Sequence, residues 1–433
     1  MPDPGLFAHE PARRPRRASR HRRTEAEPPV QMYLLALNPT DSVTEGFLPA
    51  ARRLGLAVTV LTDQPAAHRA VTGRAYDGVE VLECPVRDFR AVVSRIAGHR
   101  RPDAVFSNSD HLQVQTALAA GYFGLPAKDW RAALRTKDKA EMRRRLAAAD
   151  LPAGVPVRAA EVPAGHEPAT VPELAEVPFP CVVKPREGVA SEDVVLVTGR
   201  PELLARCAEI RSRRPDDALV VEEFLPGDLH TLETLGDGGT RRVLGGFRTQ
   251  LSAPPYFIEE RLTWDTGRPE SVVAQVLAQL DALGVGFGAC HTEFVLAGGR
   301  ARLVEVNYRA IGDQCDLLMA DLLAVPLFEL ILRVHLGEPL PPDPWPEPAR
   351  AGCLAYPYAR TAGTLSAAPE PEDLDVGGVR LAYRPLRAVG SRQPVHHTNR
   401  DLLGVVRATG PGQPAVDRAV DAFVASRTWE ITA

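Results

Sequence analysis

The chain has 433 residues, of which 45% are hydrophobic and 24% charged, and its formal net charge is −4. This length suggests about two to four structural units of ordinary globular composition. The weak net charge gives no reason to expect nucleic acid or an anionic membrane as a partner, and no uninterrupted apolar run has the length of a membrane span.

Residues 1–29 differ from the rest of the chain because arginines crowd a segment with almost no apolar content. Such a segment buries too little surface to fold, so we expect a disordered leader. It lacks the apolar core of a secretory signal. The alternative to a passive leader is a targeting or nucleic-acid-binding arm.

Residues 30–135 alternate between short apolar runs and helical patterns. The runs at 31–39, 56–62 and 103–108 predict strands, and the segments 44–54, 91–97 and 111–124 predict helices. This alternation indicates a parallel, Rossmann-like α/β domain. Its first turn, NPTDSVTEG, has no GxGxxG, so the domain need not bind a dinucleotide.

The next segment, residues 136–338, mixes hairpins with helices. We predict a charged helix from Lys137, the strand FPCVVKP, a helix at 201–214, a strand at 218–225, a hairpin turning at Gly238 and Gly239, a helix at 271–283, a second hairpin over 288–309 and a helix at 316–336. Residues 339–348 read as a proline-rich linker. The remainder of 339–433, with a helix near 415–426, reads as a small α+β closing domain.

The six cysteines lie far apart in the sequence and form neither a CxxC pair nor a zinc-type spacing. We therefore expect reduced thiols and a cytoplasmic location.

Two lysines stand where positive charge needs an explanation. Lys184 ends the apolar strand CVVKP, and lysine is seldom placed there unless its charge is paired, for instance by phosphate oxygens. The alternative is a lysine that snorkels at a strand end. Lys139 follows Asp138 at a helix start, where a solvated surface charge is the ordinary interpretation.

Two further segments suit a nucleotide. The polar turn REGVASEDV (186–194), with Gly188 and Ser191, allows backbone N–H groups to face a phosphate, although an ordinary hairpin turn has the same appearance. The strand VVEEFLPG (220–227) ends in acidic residues and proline and is a candidate rim for a purine.

The hairpin HTEF…VEVNYR carries the strongest signal. Glu305 and Asn307 are two residues apart and so share a strand face, and the turn at Gly298 and Gly299 brings Glu293 beside them. Oxygen ligands of this kind suit Mg²⁺. A structural ion-pair network, for example Glu305 with Arg302 or Arg309, is the alternative.

In this order, DK–helix–GVP, VVKP–polar loop, EEFLPG and TEF–hairpin–EVNYR, the motifs resemble the ATP-grasp superfamily. The stretches APPYFIEE (253–260) and VPLFELILRVHLGEPL (325–340) resemble its L-amino-acid ligases, which include carnosine-synthase-like members. The resemblance implies an ATP-grasp fold with a two-lobed ATP-binding region, its mobile lobe at about 150–226. It also implies an ADP-forming ligase that converts a carboxylate to an acyl phosphate and joins it to an amine, with a homodimer among the expected assemblies.

The resemblance also implies residue roles. Lys139 and Lys184 contact the ATP phosphates, and Gly188 and Ser191 belong to a phosphate lid. The nucleotide pocket is formed by Glu222, Glu223, Phe224, Leu225 and Glu233. Glu293, Glu305 and Asn307 hold Mg²⁺, with Mn²⁺ as an alternative, and Arg309 stabilises the transferred phosphate. RAIGDQ (309–314) stands where relatives carry RxGG, at a turn that borders the acceptor pocket.

An arginine is also expected for the carboxylate of a substrate. Arg248 is the first candidate and Arg261 the second, while His291 is either a base, an orienting group or a core histidine. Two rival functions stay open. One is a biotin-carboxylase-like or purine-pathway carboxylating enzyme, and the other is a non-catalytic ATP-binding or scaffold protein.

Overall fold

A computed structural model describes residues 29–151, 156–342 and 350–433. The predicted leader, except residue 29, lies outside these ranges, as do residues 152–155 of LPAGVP and residues 343–348 of the predicted linker. Within the described ranges, no helix combines the length and the apolar character needed to cross a membrane.

The N-terminal unit is a four-stranded parallel sheet, as the alternating pattern predicted. Its strand order is β3-β2-β1-β4. The strands are β1 (Gln31–Leu35), β2 (Ala57–Thr62), β3 (Glu80–Glu83) and β4 (Ala104–Phe106). The helices are α1 (Leu48–Arg53), which continues a π-helical turn over Ser42–Phe47, α2 (Pro65–Arg69), α3 (Phe89–Ala97) and α4 (Gln113–Tyr122). Two further helices, α5 (Trp130–Lys137) and α6 (Lys139–Ala147), lead out of this unit.

The lid lobe is a separate four-stranded antiparallel sheet with the order β5-β8-β6-β7. It consists of β5 (Ala159–Val162), β6 (Cys181–Pro185), β7 (Val195–Val197), α7 (Arg200–Arg213) and β8 (Leu219–Glu223). Its buried side chains form their own cluster between residues 160 and 221. A separate core allows the lobe to move as a unit relative to the rest of the molecule.

The central sheet has ten strands and runs through two parts of the sequence, in the order β14-β13-β9-β11-β12-β15-β20-β18-β17 with β10 paired to β9. Residues 228–335 supply β9 (Asp228–Asp237), β10 (Arg241–Gly245), β11 (Phe247–Leu251), β12 (Glu259–Trp264), α8 (Glu270–Leu283), β13 (Phe287–Ala297), β14 (Arg300–Asn307), α9 (Cys315–Leu323) and α10 (Leu327–His335).

The C-terminal residues extend this central sheet and add a small three-stranded sheet, β19-β16-β21. Their elements are β15 (Ala351–Ala355), β16 (Gly363–Ala367), β17 (Glu372–Val376), β18 (Val379–Pro385), β19 (Arg392–Gln393), β20 (Gly404–Gly410), α11 (Gln413–Ser426) and β21 (Glu430–Thr432). The C-terminal part is thus continuous with the central sheet through the β12–β15 pairing.

Two sequence predictions of single elements were wrong. The helix expected at 316–336 is two helices, because Ala324 is left-handed (φ 51°) and Pro326 disfavours helical backbone before it. The return strand of the first hairpin is broken at Gly246, where a Cβ would lie 2.1 Å from the carbonyl oxygen of Thr231. The chain therefore continues as β11, which pairs with the start of β9.

The N-terminal unit and the central sheet share one hydrophobic core. Phe47 packs against Phe106 and Phe328, with ring centroids 4.7 and 5.0 Å apart. This aromatic contact joins the N-terminal unit to α10. The central sheet is therefore held firmly against the N-terminal unit, whereas the lid lobe on the other side of the cavity has its own core.

Candidate active site

Three adjacent strands present two rows of polar side chains on one face of the central sheet. The strand register places Glu233, His291 and Asn307 opposite one another, and Thr231, Glu293 and Glu305 in the next row. Residues directly opposite in an antiparallel pair share a face, and so do residues two apart. The turn between β13 and β14 uses Gly298 and Gly299 at φ 57° and 75°, which glycine tolerates best.

His291 lies between two carboxylates. Its Nδ1 is 2.7 Å from Glu233 Oε1 and its Nε2 is 3.4 Å from Glu293 Oε1. Burial alone would lower the pKa of His291, but the two carboxylates raise it to about 10. The same contact reverses the effect of burial on Glu293, whose pKa is lowered. The imidazolium is therefore the stable form at neutral pH, which argues against His291 as a free general base.

Lys184 and Arg143 share one buried carboxylate. Glu222 Oε2 lies 2.7 Å from Lys184 Nζ and 2.8 Å from Arg143 Nη2, and Glu222 Oε1 lies 2.8 Å from Arg143 Nε. Burial would raise the pKa of Glu222, but the two cations lower it to about 2. The positive charge of Lys184 at the end of an apolar strand is thus paired within the protein. Glu222 holds the lysine in position and also lines the pocket.

Lys139 forms hydrogen bonds with both the central sheet and the phosphate lid. Its Nζ is 3.0 Å from Glu305 Oε1 and donates to the carbonyl oxygen of Gly188 over 2.9 Å. Burial alone would lower the pKa of Lys139, but Glu305 raises it. A buried, charged ammonium group therefore lies where the lid loop meets the acidic face of β14.

A cavity of about 490 Å³ opens between the lid lobe and this face. Thirteen of the residues that the sequence singled out line it. On the side of the lid lobe these are Lys184, Gly188, Ser191, Glu222, Glu223, Phe224 and Leu225. On the opposite side they are Lys139, His291, Glu293, Glu305, Asn307 and Arg309. The structure thus brings these sequence-separated motifs to one space.

Glu223 stabilises the wall of the cavity at the end of β8. Its Oε1 accepts from the backbone N–H of Arg158 over 3.0 Å and from Arg302 Nη1 over 3.2 Å. The backbone N–H of Phe224 donates to the carbonyl oxygen of Pro180 over 3.0 Å. These contacts fix the segment that follows β8 and therefore the shape of this wall.

Three carboxylates, those of Glu259, Glu293 and Asp313, line the other end of the cavity, as does Arg309. Burial, together with the charges of Glu293 and Asp313, raises the pKa of Glu259 to about 8. Asp313 is held in left-handed backbone (φ 54°) in the turn after β14. This end of the cavity favours added positive charge.

Three predicted residues lie outside the cavity lining. Glu233 is 1% exposed and backs His291. Arg248 is paired with His230, on the face of the sheet opposite to Thr231, because alternate residues in a strand point to opposite faces. Arg261 forms ion pairs with Asp417 and Asp421 of α11. Arg248 and Arg261 are therefore not among the residues that line the cavity, and their expected contacts with a substrate carboxylate stay predictions.

The oxygen donors fit the predicted divalent cation in kind. Glu293 and Glu305 face each other across the β13–β14 pair, and Asn307 follows on the same face. Hard cations such as Mg²⁺ bind carboxylate and amide oxygens and complete their shell with phosphate and water. Among the described residues, no group of three or more His, Cys, Asp and Glu side chains is arranged so that it could hold a metal ion, so the Mg²⁺ site stays a prediction.

Arg143, Glu259 and Asp313 are missing from the residues predicted from sequence. Arg143 lies four positions after Lys139 on α6, and this helical spacing was a usable signal for a shared face. Glu259 and Asp313 lie in APPYFIEE and RAIGDQ, two stretches that the sequence singled out without assigning them a charge role. Nothing local in either stretch indicates that they meet.

Comparison with known proteins places these observations in a family context. Residues 136–313 match the model of the ATP-grasp domain. An uncharacterised protein of Sinorhizobium fredii is 26% identical over 425 residues, which cover 93% of this chain and 84% of that protein. Carnosine synthase 1 of Gallus gallus is 28% identical over 346 residues, 73% of this chain, and the match spans only 37% of that longer protein.

A solved structure agrees with the fold. The L-amino acid ligase of Bacillus licheniformis superposes with a TM-score of 0.73 at 20% identity, over 94% of this chain and all of that chain. The predicted fold, an ATP-grasp arrangement with a parallel N-terminal α/β sheet and mixed α/β class, is confirmed.

Proposed function

We propose that the protein is an ATP-dependent ligase that activates a carboxylate and couples it to an amine, because residues 136–313 match the model of the ATP-grasp domain. The carboxylate belongs to an amino acid or another small carboxylic acid, and the product is an amide or peptide bond, with ADP and phosphate released. The observation that supports this proposal is one cavity that is lined by both buried lysines together with Glu293, Glu305, Asn307 and Arg309.

The first step is phosphoryl transfer. A carboxylate oxygen forms a bond to the γ-phosphorus of ATP as the bond from that phosphorus to the ADP oxygen breaks. Lys139 and Lys184 lie where they can neutralise phosphate oxygens, and their pairing with Glu305 and Glu222 orients them beforehand. Mg²⁺ held by Glu293, Glu305 and Asn307 would supply further neutralisation of the nucleotide phosphates.

The second step is amide formation. The amine nitrogen attacks the acyl carbon, the carbon–oxygen bond to phosphate breaks, and the nitrogen gives up a proton. Arg309 lines the cavity next to the acidic end, so its guanidinium is placed to stabilise the oxyanion and the departing phosphate. An ammonium group bound beside Asp313 and Glu259 would favour the ionised form of Glu259, whose pKa is raised in its absence, which supports an amino acid as one substrate.

The proposal is tested by following ADP and product together. The purified protein with ATP, Mg²⁺ and pools of amino acids should form ADP only with a suitable carboxylate, and mass spectrometry should detect the amide. Hydroxylamine, a small nucleophile, should trap the acyl phosphate as a hydroxamate. Formation of AMP and pyrophosphate instead would contradict the proposal, because it requires adenylation of the carboxylate.

The two rival functions give different results in the same assay. A carboxylating enzyme would release ADP only with bicarbonate, and a non-catalytic ATP-binding protein would bind nucleotide without consuming it. A cytoplasmic location and a homodimer stay predictions from the sequence and its resemblance, to be tested by fractionation and by light scattering.

A further inference from the structure

Residues 396–401, which we name the C-terminal latch, lie between β19 and β20 and reach the cavity through Asn399. Asp401 is 1% exposed, and its carboxylate accepts from the backbone N–H groups of His396, His397 and Thr398. A buried carboxylate that binds three consecutive N–H groups fixes the shape of a loop. The latch is therefore held in shape by the C-terminal part itself.

The latch contacts the phosphate lid through two neighbouring residues. The backbone N–H of Asn399 donates to the carbonyl oxygen of Ala190 over 3.2 Å, and the guanidinium of Arg400 pairs with Glu192. Ala190 and Glu192 lie in the loop between β6 and β7 and line the cavity. Ala190 is left-handed at φ 56°, a conformation that a non-glycine residue keeps only when its surroundings hold it.

The same latch also contacts the opposite wall. Asn399 Oδ1 accepts from the backbone N–H of Glu259 over 3.0 Å. The ring of His397 stacks on Tyr256 with centroids 4.1 Å apart and planes 4° from parallel. One short loop thus ties the lid to the segment that carries Glu259 at the acidic end of the cavity.

We infer that the C-terminal latch holds the phosphate lid closed against the Glu259 wall, with Asn399 as its central positioning residue. The lid lobe has its own hydrophobic core, so its position over the cavity depends on loop contacts of this kind. The consequence for turnover rests on the proposed function. Water that enters under an open lid would attack the acyl phosphate, giving free carboxylate and phosphate, so the ADP formed in the first step would have no matching amide.

The first measurement is independent of turnover. Hydrogen exchange of residues 187–194 is followed by mass spectrometry in the full chain, in Arg400→Ala and in Asn399→Ala. Loss of an exposed ion pair or of one hydrogen bond should speed lid exchange roughly two- to fivefold. Arg418→Ala, which removes an exposed arginine of α11, is the matched control and should exchange like wild type. Unchanged lid exchange in both latch variants would overturn the inference.

A double-mutant cycle tests whether Arg400 acts through Glu192. In the Glu192→Gln background, Arg400→Ala should add no further increase in lid exchange, because both changes remove the same ion pair. Fully additive increases would overturn the direct contact.

The second measurement is the ratio of ADP to amide product. This ratio should rise in Arg400→Ala and Asn399→Ala and stay at the wild-type value in Arg418→Ala. An unchanged ratio together with unchanged lid exchange would overturn the inference. If wild type forms no ADP with any carboxylate while lid exchange still accelerates in the variants, the proposed function fails and the latch stands.

Discussion

The two ends of the cavity handle buried charge in opposite ways. Next to the lid lobe, each lysine has a carboxylate partner, Lys184 with Glu222 and Lys139 with Glu305. Next to β12 and the turn after β14, the carboxylates of Glu259, Glu293 and Asp313 line the cavity, and burial with the charges of the other two raises the pKa of Glu259 to about 8. The lysines of the first end are thus paired within the protein, and the second end favours an added cation.

This difference shows which end is built in advance and which is completed by ligands. Paired buried charges with well-placed hydrogen bonds hold their geometry without a ligand, although they contribute little net stability. Crowded carboxylates are costly until a proton, a metal ion or an ammonium group neutralises them. We therefore expect substitutions at the paired end to disturb both folding and ATP use, and substitutions at the acidic end to change pH dependence and substrate binding.

The largest effect is expected for Glu305→Gln, at the junction of the two ends. Gln keeps an oxygen for Lys139 but removes the negative charge proposed to help hold Mg²⁺. Loss of several kcal/mol of charge stabilisation should lower turnover by about 100- to 1000-fold. ADP release by the folded variant measures this, and Glu338→Gln, which alters an exposed ion pair with Arg333, serves as the control. Near-normal turnover would remove Glu305 from the proposed metal site.

Lys184→Met tests the end of the cavity at which the lysines are paired with carboxylates. The change leaves Glu222 with Arg143 as its remaining partner, so we expect the free energy of unfolding to fall by about 1–3 kcal/mol. ATP use should weaken by roughly 2–5 kcal/mol, since a phosphate-pairing charge is lost. Urea unfolding and ADP formation measure the two losses. Adding Glu222→Gln should lower the stability further, because it leaves the buried Arg143 without its carboxylate partner, and ATP use should stay low. Recovery of ATP use would contradict a role for Lys184 with phosphate.

The acidic end predicts a pH dependence of stability. Because the pKa of Glu259 is raised from 4.5 to about 8 in the folded state, its contribution is fully present below about pH 4.5 and is lost as the pH rises to about 8. Glu259→Gln should flatten the fall in unfolding free energy over this range by up to about 1.4 kcal/mol per pH unit. Denaturant unfolding at pH 5, 6, 7 and 8 measures the slope.

The matched control for this slope is Glu260→Gln on the same strand. Glu260 accepts from the hydroxyl of Tyr358 over 2.9 Å and is absent from the residues described as lining the cavity. With Glu259 intact, the slope of this control should equal that of wild type. Equal slopes for wild type and Glu259→Gln would show that the acidic end is already neutralised in another way.

The smallest effect is expected for Arg248→Ala. Arg248 lies on the sheet face opposite to the cavity, so KM for the carboxylate substrate and kcat should change by less than about twofold. Arg309→Ala, the matched loss of an arginine that lines the cavity, should reduce kcat strongly in the same assay. A large rise in KM for Arg248→Ala would return Arg248 to the substrate site.

The sequence predicted those parts of the site that depend on local periodicity. Glu305 and Asn307 share a face because they are two apart on one strand, and the glycine turn brings Glu293 opposite Glu305. The parallel N-terminal sheet was also predictable from local patterns, because short apolar runs alternate with helical segments along residues 30–135. The order of the lysine, lid and nucleotide segments was sufficient to indicate the fold, and the structure places the predicted lysines and metal-type residues around one cavity.

The tertiary structure decided what depends on register and on distant contacts. Arg248 follows the period of its strand, but only the pairing with His230 fixed which of two faces it occupies. Asn399 meets Glu259 across 140 positions of sequence, and no local pattern encodes that distance. The sequence predicts Glu222 as a nucleotide contact. In the structure it is buried beside Arg143 and Lys184, and its carboxylate forms ion pairs with both cations. The two-residue periodicity of a strand determines which of its side chains share a face. Which charged side chains come into contact depends on how distant segments of the chain pack together.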